Sequence, residues 1–175
     1  MIVVYGSRYG HAKRYAEEFA KLTGVRAVPC KEVKRIEESA VYFGAVYAGN
    51  IKGLARGARR TDAAKAEFFA VVAVGLTDPA DAATQNALQR AALAAFPAPL
   101  QKKLKMFYLR GGIDYAKLSA PHRLLMKLMY AAEKKTPPEK RSAQAAAIVE
   151  TYGTCSDFYD ETAAKRLAAE LLPQR

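Results

Sequence analysis

The chain alternates short apolar runs with amphipathic segments of helical period, and this alternation restricts its fold more than any single motif does. Five runs have the length and the β-branched or aromatic content of strands. They are IVVYG (2–6), VRAVP (25–29), AVYFGAVYAG (40–49), FFAVVAVGL (68–76) and KMFYLRGG (105–112). The first is a continuous apolar run, which is typical of a strand covered on both faces.

Helical segments separate these strands. After the first strand, one face carries apolar residues at helical spacing, and Gly24 follows where a helix would end; this face comprises Ala12, Tyr15, Ala16, Phe19, Ala20 and Leu22. Further helices are predicted at Leu54–Ala66, Thr84–Phe96 and Asp160–Leu172, with Thr84 and Asp160 as N-caps. This order implies parallel strands joined by right-handed crossovers. We therefore expect an α/β three-layer sandwich.

Size and composition favour one domain, residues 1–175, because the chain is 51% apolar and long enough for one ordinary core. The two cysteines, Cys30 and Cys155, lack the number and spacing of a zinc site or a disulfide framework, so no metal site is expected. No apolar run reaches membrane-spanning length, which favours a cytoplasmic protein. The net charge of +11 favours anionic partners, but it does not choose among phosphates, carboxylates, nucleic acid and lipid.

The junction between the first strand and the first helix reads Ser-Arg-Tyr-Gly-His-Ala. In open parallel sheets, ligands bind beyond the carboxyl ends of the strands. Unpaired N–H groups and the dipole at a helix N-terminus attract anions, so a phosphate is the expected ligand. Neither the P-loop motif nor the G-x-G-x-x-G dinucleotide motif is present. The alternative is an ordinary turn without a ligand.

This junction resembles the flavodoxin fingerprint, in which Ser or Thr, any residue, Thr or Tyr, Gly, any residue and Thr or Ala follow a strand. Three longer segments, 35–53, 68–89 and 107–135, resemble the flavodoxin-domain family that includes menaquinone-dependent protoporphyrinogen dehydrogenase. The third segment is the most diagnostic, because G-x-I/L-x-Y and a basic amphipathic helix follow its strand. The resemblance implies a flavodoxin-like sandwich with a five-stranded parallel sheet, order 2-1-3-4-5, and helices on both faces.

The resemblance also implies an FMN site. Its phosphate would lie against Ser7, Arg8, Tyr9, Gly10, His11 and Ala12. The flavin ring would lie between Ala48, Gly49 and Asn50 on one side and Gly75, Leu76 and Thr77 on the other, with Gly111, Gly112, Ile113 and Asp114 closing the site. Many relatives have Thr at the position of Ala12, so one phosphate contact worth about 1 kcal/mol is lost unless Arg8 or Lys13 compensates. The chain has no Trp, which leaves Tyr47 and Tyr115 to stack on the ring.

The leading hypothesis is an FMN-dependent oxidoreductase. The resemblance implies a carboxylate-bearing tetrapyrrole, protoporphyrinogen, as substrate and a quinone as acceptor, and Arg110 and Lys117 are candidate carboxylate partners. One alternative is a flavodoxin-type electron carrier. Another is a flavin-free binding module, although nucleic acid is disfavoured as its partner because no nucleic-acid motif is present. His11, His122 and Asp114 are expected to have structural rather than acid–base roles. The oligomeric state stays open.

The basic amphipathic segment 121–135 has two readings. In the first, a helix packs its leucines on the core and exposes a basic face to solvent. In the second, the helix contacts an anionic membrane or a protein partner, and a quinone dissolved in the membrane would be reachable from it.

Overall fold

Five parallel strands form the centre of the computed structural model, which describes residues 1–172. They are β1 (Ile2–Gly6), β2 (Ala27–Pro29), β3 (Ala40–Tyr47), β5 (Phe69–Gly75) and β6 (Leu104–Arg110), in the spatial order β2-β1-β3-β5-β6. This is the predicted order of five parallel strands, which is therefore confirmed. A sixth strand, β4 (Asn50–Ile51), lies between β3 and β5 along the chain and pairs antiparallel with β3.

β4 closes a tight hairpin at the carboxyl end of β3. Tyr47 pairs with Asn50, so Ala48 and Gly49 are the two turn residues, and their φ angles are 46° and 74°. Positive φ at both positions is the geometry of a type I′ hairpin turn. The sequence prediction missed β4 because a two-residue strand leaves no periodic signal.

Seven α-helices surround the sheet in the described residues. They are α1 (His11–Thr23), α2 (Leu54–Arg60), α3 (Ala82–Ala95), α4 (Ala98–Gln101), α5 (Ala120–Glu133), α6 (Ala143–Thr151) and α7 (Ala163–Leu171). An antiparallel ribbon joins β7 (Gly112–Asp114) to β8 (Cys155–Asp157). The sequence prediction did not include α4, α6 or this ribbon.

The predicted helix at 54–66 is too long. α2 ends at Arg60, because Thr61 adopts an extended conformation and the N–H of Asp62 donates to the carbonyl of Ile36 at 2.7 Å. Hydrogen bonding to a neighbouring extended segment therefore replaces the last predicted helical turns.

Two predicted N-caps are wrong. The cap of α3 is Asp81, whose carboxylate accepts the N–H of Thr84 at 2.7 Å. The cap of α7 is Thr162, and Asp160 instead accepts the N–H of Thr162 at 2.8 Å in the turn before the helix. Asp81 accepts from the residue three positions on, as an N-cap does, and Asp160 accepts from the residue two positions on, as in an Asx turn.

Apolar layers cover both faces of the sheet and confirm the three-layer sandwich. One layer packs α1 and α7 against the sheet and includes the fully buried Phe19 and Phe43. The other packs α2, α3 and α4 and includes the fully buried Tyr42 and Phe69. The predicted domain extends to Arg175, and residues 173–175 lie outside the described part. Among residues 1–172, no helix is both long enough and apolar enough to span a bilayer.

Candidate functional site

The loop between β1 and α1 turns sharply at Gly10. This residue is the N-cap of α1 and has φ 100°, a conformation that favours glycine. Its N–H donates to the hydroxyl oxygen of Ser7 at 3.1 Å. Because the Ser7 oxygen accepts this bond, its own hydroxyl hydrogen remains available to a ligand.

The first turn of α1 presents unpaired N–H groups beside this loop. Within the described chain, the N–H groups of His11, Ala12 and Lys13 find no protein acceptor, whereas that of Arg14 bonds to the carbonyl of Gly10 at 2.9 Å. No acidic residue occupies this turn. Unpaired donors and the positive end of a helix dipole are the features that attract anions to a helix N-terminus. Arg8 and Lys13 add exposed positive charge.

The side chain of His11 fills the space between this loop and the β7–β8 ribbon. A Cβ on Gly112 would lie 2.7 Å from Cε1 of His11 and 2.4 Å from the carbonyl oxygen of Ser156, so only glycine permits this approach. His11 Nδ1 lies 3.8 Å from the Asp157 carboxylate. Burial lowers the pKa of His11 and outweighs the opposing pull of Asp157. The imidazole is therefore neutral at neutral pH.

Three of the predicted segments converge near His11. The N–H of Gly111 donates to the carbonyl of Gly75 at 2.7 Å, and a Cβ on Gly111 would lie 3.3 Å from Cβ of His11. Ile113 and Asp114 lie farther along β7, where they pair with Ser156 and Cys155 of the ribbon.

Asp114 has the turn role that the sequence predicts. Its carboxylate accepts the N–H of Ala116 at 3.0 Å and pairs with Lys117 at 3.0 Å. The hydrogen bond from Lys117 lowers the pKa of Asp114, so the carboxylate stays ionised. The Lys117 side chain remains 75% exposed and is accessible to a ligand.

An aromatic cluster of Tyr9, Tyr47 and His122 joins the β1–α1 loop to the β3–β4 hairpin and to α5. The Tyr9 hydroxyl lies 2.6 Å from Nδ1 of His122, and the ring of Tyr47 lies 6.5 Å from that of Tyr9 and 6.2 Å from that of His122. Burial, together with Tyr9, raises the pKa of Tyr47 to about 12, so its hydroxyl stays protonated. Sequence reasoning missed the role of His122, since no local pattern indicates a contact across 113 positions.

The remaining predicted residues lie at the carboxyl ends of β3 and β5. Ala48, Gly49 and Asn50 form the exposed hairpin turn, in which the Asn50 amide donates to the Ala48 carbonyl at 3.2 Å. Gly75 and Thr77 line a cavity of about 20 Å³, which has room for a single water molecule.

Leu76 and Arg110 are held together at this edge. Nε of Arg110 donates to the Leu76 carbonyl at 3.0 Å, and the same guanidinium pairs with Glu150 at 2.8 Å and lies 3.6 Å from the ring centroid of Phe158. Arg110 is therefore occupied by contacts within the protein, and Lys117 is the more accessible of the two candidate carboxylate partners.

Comparison with protein-family models identifies the family to which this domain belongs. The flavodoxin domain family model matches residues 2–140. The chain belongs to the flavodoxin domain family. A comparison with curated proteins finds no match. The matched part of this flavodoxin domain includes all five parallel strands, the β1–α1 loop and α5, and it ends before α6 and α7.

Flavodoxin domains typically bind FMN, and the β1–α1 loop has the donors that the phosphate of FMN requires. The free N–H groups of His11, Ala12 and Lys13 and the available hydroxyl hydrogen of Ser7 match a phosphate. Ala12 itself is fully buried in the core and contributes only its backbone N–H. The phosphate end of this flavodoxin domain therefore fits FMN.

Proposed function

We propose that this flavodoxin domain is an FMN-dependent oxidoreductase that holds the phosphate of FMN at the N-terminus of α1. The observation that carries the proposal is the set of three unpaired N–H groups at His11, Ala12 and Lys13 beside the Ser7 hydroxyl. When bound, FMN supplies the capacity to transfer electrons. The protein fixes its orientation and tunes its potential through hydrogen bonds and nearby charge.

The roles of the loop residues follow from their contacts. The free N–H groups bind phosphate oxygens, Ser7 donates its hydroxyl hydrogen, and Gly10 permits the turn that aims these donors at one point. Arg8 is exposed and adds positive charge. Ala12 is buried in the core, so it offers the phosphate only its backbone N–H.

The substrate that we propose is an anionic, carboxylate-bearing tetrapyrrole such as protoporphyrinogen, with a quinone as electron acceptor. The net charge of +11 supports an anionic substrate, and Lys117 offers an exposed ammonium close enough to His11 to lower the pKa of that residue. The resemblance of segment 107–135 to protoporphyrinogen dehydrogenases supports the tetrapyrrole in particular.

Titration of the flavin-free protein with FMN and, separately, with riboflavin tests the phosphate site. We expect FMN to bind at least about tenfold more tightly than riboflavin, because a tenfold ratio needs only about 1.4 kcal/mol from the phosphate. Arg8→Ala should lower the ratio of FMN affinity to riboflavin affinity. Arg26→Ala, which removes an exposed arginine just before β2, should leave this ratio unchanged. Equal affinity for the two flavins would contradict the proposal.

An activity assay tests the substrate. FMN-loaded protein is mixed with protoporphyrinogen and a menaquinone analogue, and porphyrin fluorescence is followed. Porphyrin formation that requires both FMN and the quinone analogue supports the dehydrogenase. Rapid electron exchange with small redox proteins and no porphyrin formation would favour the electron carrier, which the strong positive charge disfavours.

A flavin-free binding module is the second candidate, and one observation favours it. The Tyr9 hydroxyl is bonded to His122, the Ser7 oxygen accepts the Gly10 N–H, and Ala12 has no hydroxyl. The side-chain oxygens of the fingerprint are thus partly satisfied within the protein. Failure to bind either flavin in the titration would make this candidate the leading one.

A further inference from the structure

α5 exposes its leucines instead of burying them. Leu124, Leu125 and Leu128 are 59%, 50% and 60% exposed, and no residue of this 14-residue helix is buried. They are three of only five large hydrophobic residues that are exposed among residues 1–172. The reading in which these leucines pack on the core is therefore wrong.

The three leucines share one helical face. At about 100° per residue, positions 124, 125 and 128 fall within about 100° of arc, and Pro121, Ala131 and Ala132 fall on the same side. We call these six residues the leucine face. The leucines are exposed and the other three members are small or ring side chains, so the face is an apolar stripe along residues 121–132 of the helix.

Contacts on the opposite side hold α5 in this orientation. The ring of Tyr130 stacks on that of Tyr152 at 3.9 Å and 7°, and His122 bonds to Tyr9. At the start of the helix, the N–H of Ser119 donates to the Tyr9 hydroxyl at 3.4 Å. The leucine face is thus turned outward by packing at both ends of α5.

Positive charge without ion-pair partners flanks the leucine face. Residues 120–141 contain six basic and two acidic residues. Arg123, Lys127 and Lys134 lie along one flank of the face by helical angle, and Lys135 lies in line with it. In the part of the chain that the structure describes, none of these four cations forms an ion pair.

We propose that α5 docks on an anionic lipid surface through the leucine face. An amphipathic helix with leucines on one face, and beside them cations that lack ion-pair partners, binds in the plane of such a surface, with the leucines in the headgroup boundary and the cations on anionic headgroups. The charge complementarity favours lipid over an apolar protein groove. Because His122 contacts Tyr9 on the opposite side of α5, docking would hold the β1–α1 loop behind the helix, about one helix diameter from the lipid surface.

Vesicle co-sedimentation of the full chain tests this proposal without any flavin. We expect binding to vesicles that mix phosphatidylglycerol with phosphatidylcholine, and at least tenfold weaker binding to phosphatidylcholine alone. The double variant Leu124→Ser/Leu128→Ser should lose at least tenfold in binding. Leu22→Ser, which changes the exposed leucine near the end of α1, should bind like the wild type.

A charge series completes the test. Lys127→Gln/Lys134→Gln should weaken binding to the anionic vesicles several-fold, whereas Lys21→Gln/Lys31→Gln, with the same loss of net charge elsewhere, should change it much less. Equal losses from the two lysine pairs, or leucine variants that bind like the wild type, would show general charge attraction and overturn the proposal. Thermal unfolding confirms that each variant is folded.

Two other outcomes would also overturn it. Absence of binding to anionic vesicles at low salt would rule out lipid as the occupant. Concentration-dependent self-association that the leucine variants abolish, without vesicle binding, would assign the face to a second copy of the chain.

Discussion

The central sheet buries its apolar side chains, whereas α5, the long helix that follows the sheet, exposes them. In β3 and β5, every residue from Ala40 to Ala45 and from Phe69 to Val74 is buried. In α5, which follows the last strand of the sheet, none is buried and three leucines are exposed. Both stretches are strongly apolar in sequence. The difference teaches that apolar content predicts burial only where the topology supplies a second layer to cover it.

The largest effect is expected from truncation within the sheet. Phe43→Ala removes a fully buried ring and should lower the free energy of unfolding by about 3–5 kcal/mol. Leu128→Ala, on the exposed face of α5, should change it by less than about 0.5 kcal/mol. Urea unfolding measures both. A cost at Leu128 similar to that at Phe43 would show that α5 is part of the core.

The second-largest loss of stability is expected at Gly112, where the β7–β8 ribbon meets the start of α1. Gly112→Ala should cost about 1–3 kcal/mol, because its Cβ would meet the Ser156 carbonyl and the His11 ring. Gly75→Ala is the matched control, since its Cβ would lie no closer than 3.5 Å to any atom. Urea unfolding compares the two variants. Equal stability would mean that the ribbon can move away from α1 at little cost.

A smaller effect is expected where α5 touches the β1–α1 loop. Tyr9→Phe removes the hydroxyl that bonds to His122 and accepts the N–H of Ser119, and it should cost about 1 kcal/mol. Tyr5→Phe, in which the altered hydroxyl has no partner among the described residues, is the control. Hydrogen exchange should show faster exchange in α5 of the first variant only. Unchanged exchange would indicate that Tyr130 alone anchors the helix.

The smallest effect is expected before α7, and it depends on pH. Hydrogen bonds from Thr162 and Arg166 lower the pKa of Asp160 to about 2. Because the folded state favours the carboxylate, its stabilisation is complete above about pH 4 and is lost as the pH falls toward 2. The group is exposed, so the stabilisation should stay below about 1 kcal/mol.

Unfolding of Asp160→Asn and wild type between pH 7 and pH 2 checks this expectation. The difference in stability should be present at pH 7 and should vanish near pH 2. A difference that is constant across this range would exclude the carboxylate charge as its cause.

The scaffold could be predicted because its signals are local. The apolar run at 68–76 and the helical period of 12–22 each specify an element, and the alternation specifies parallel pairing. The ends of helices were predicted less well. The end of α2 depends on a hydrogen bond between Asp62 and Ile36, which no helical pattern shows.

Part of the candidate site could likewise be predicted from local sequence, and part could not. The β1–α1 loop is a continuous motif, so its residues could be named from the sequence. The contact of His122 with Tyr9 depends on the path of the chain through the β7–β8 ribbon, which the sequence did not indicate. The outward direction of the leucine face was one of two readings that the sequence left open, because an amphipathic pattern does not say whether the apolar face meets the core.

The central claim is that the N-terminus of α1 binds the phosphate of FMN, and amide NMR of the isotope-labelled protein tests it most directly. Addition of FMN should shift the N–H resonances of His11, Ala12 and Lys13 strongly downfield, as new hydrogen bonds to phosphate do. Riboflavin at the same concentration should leave these three resonances nearly unchanged. Equal shifts with both flavins, or no shift in this turn when FMN is bound, would contradict the account.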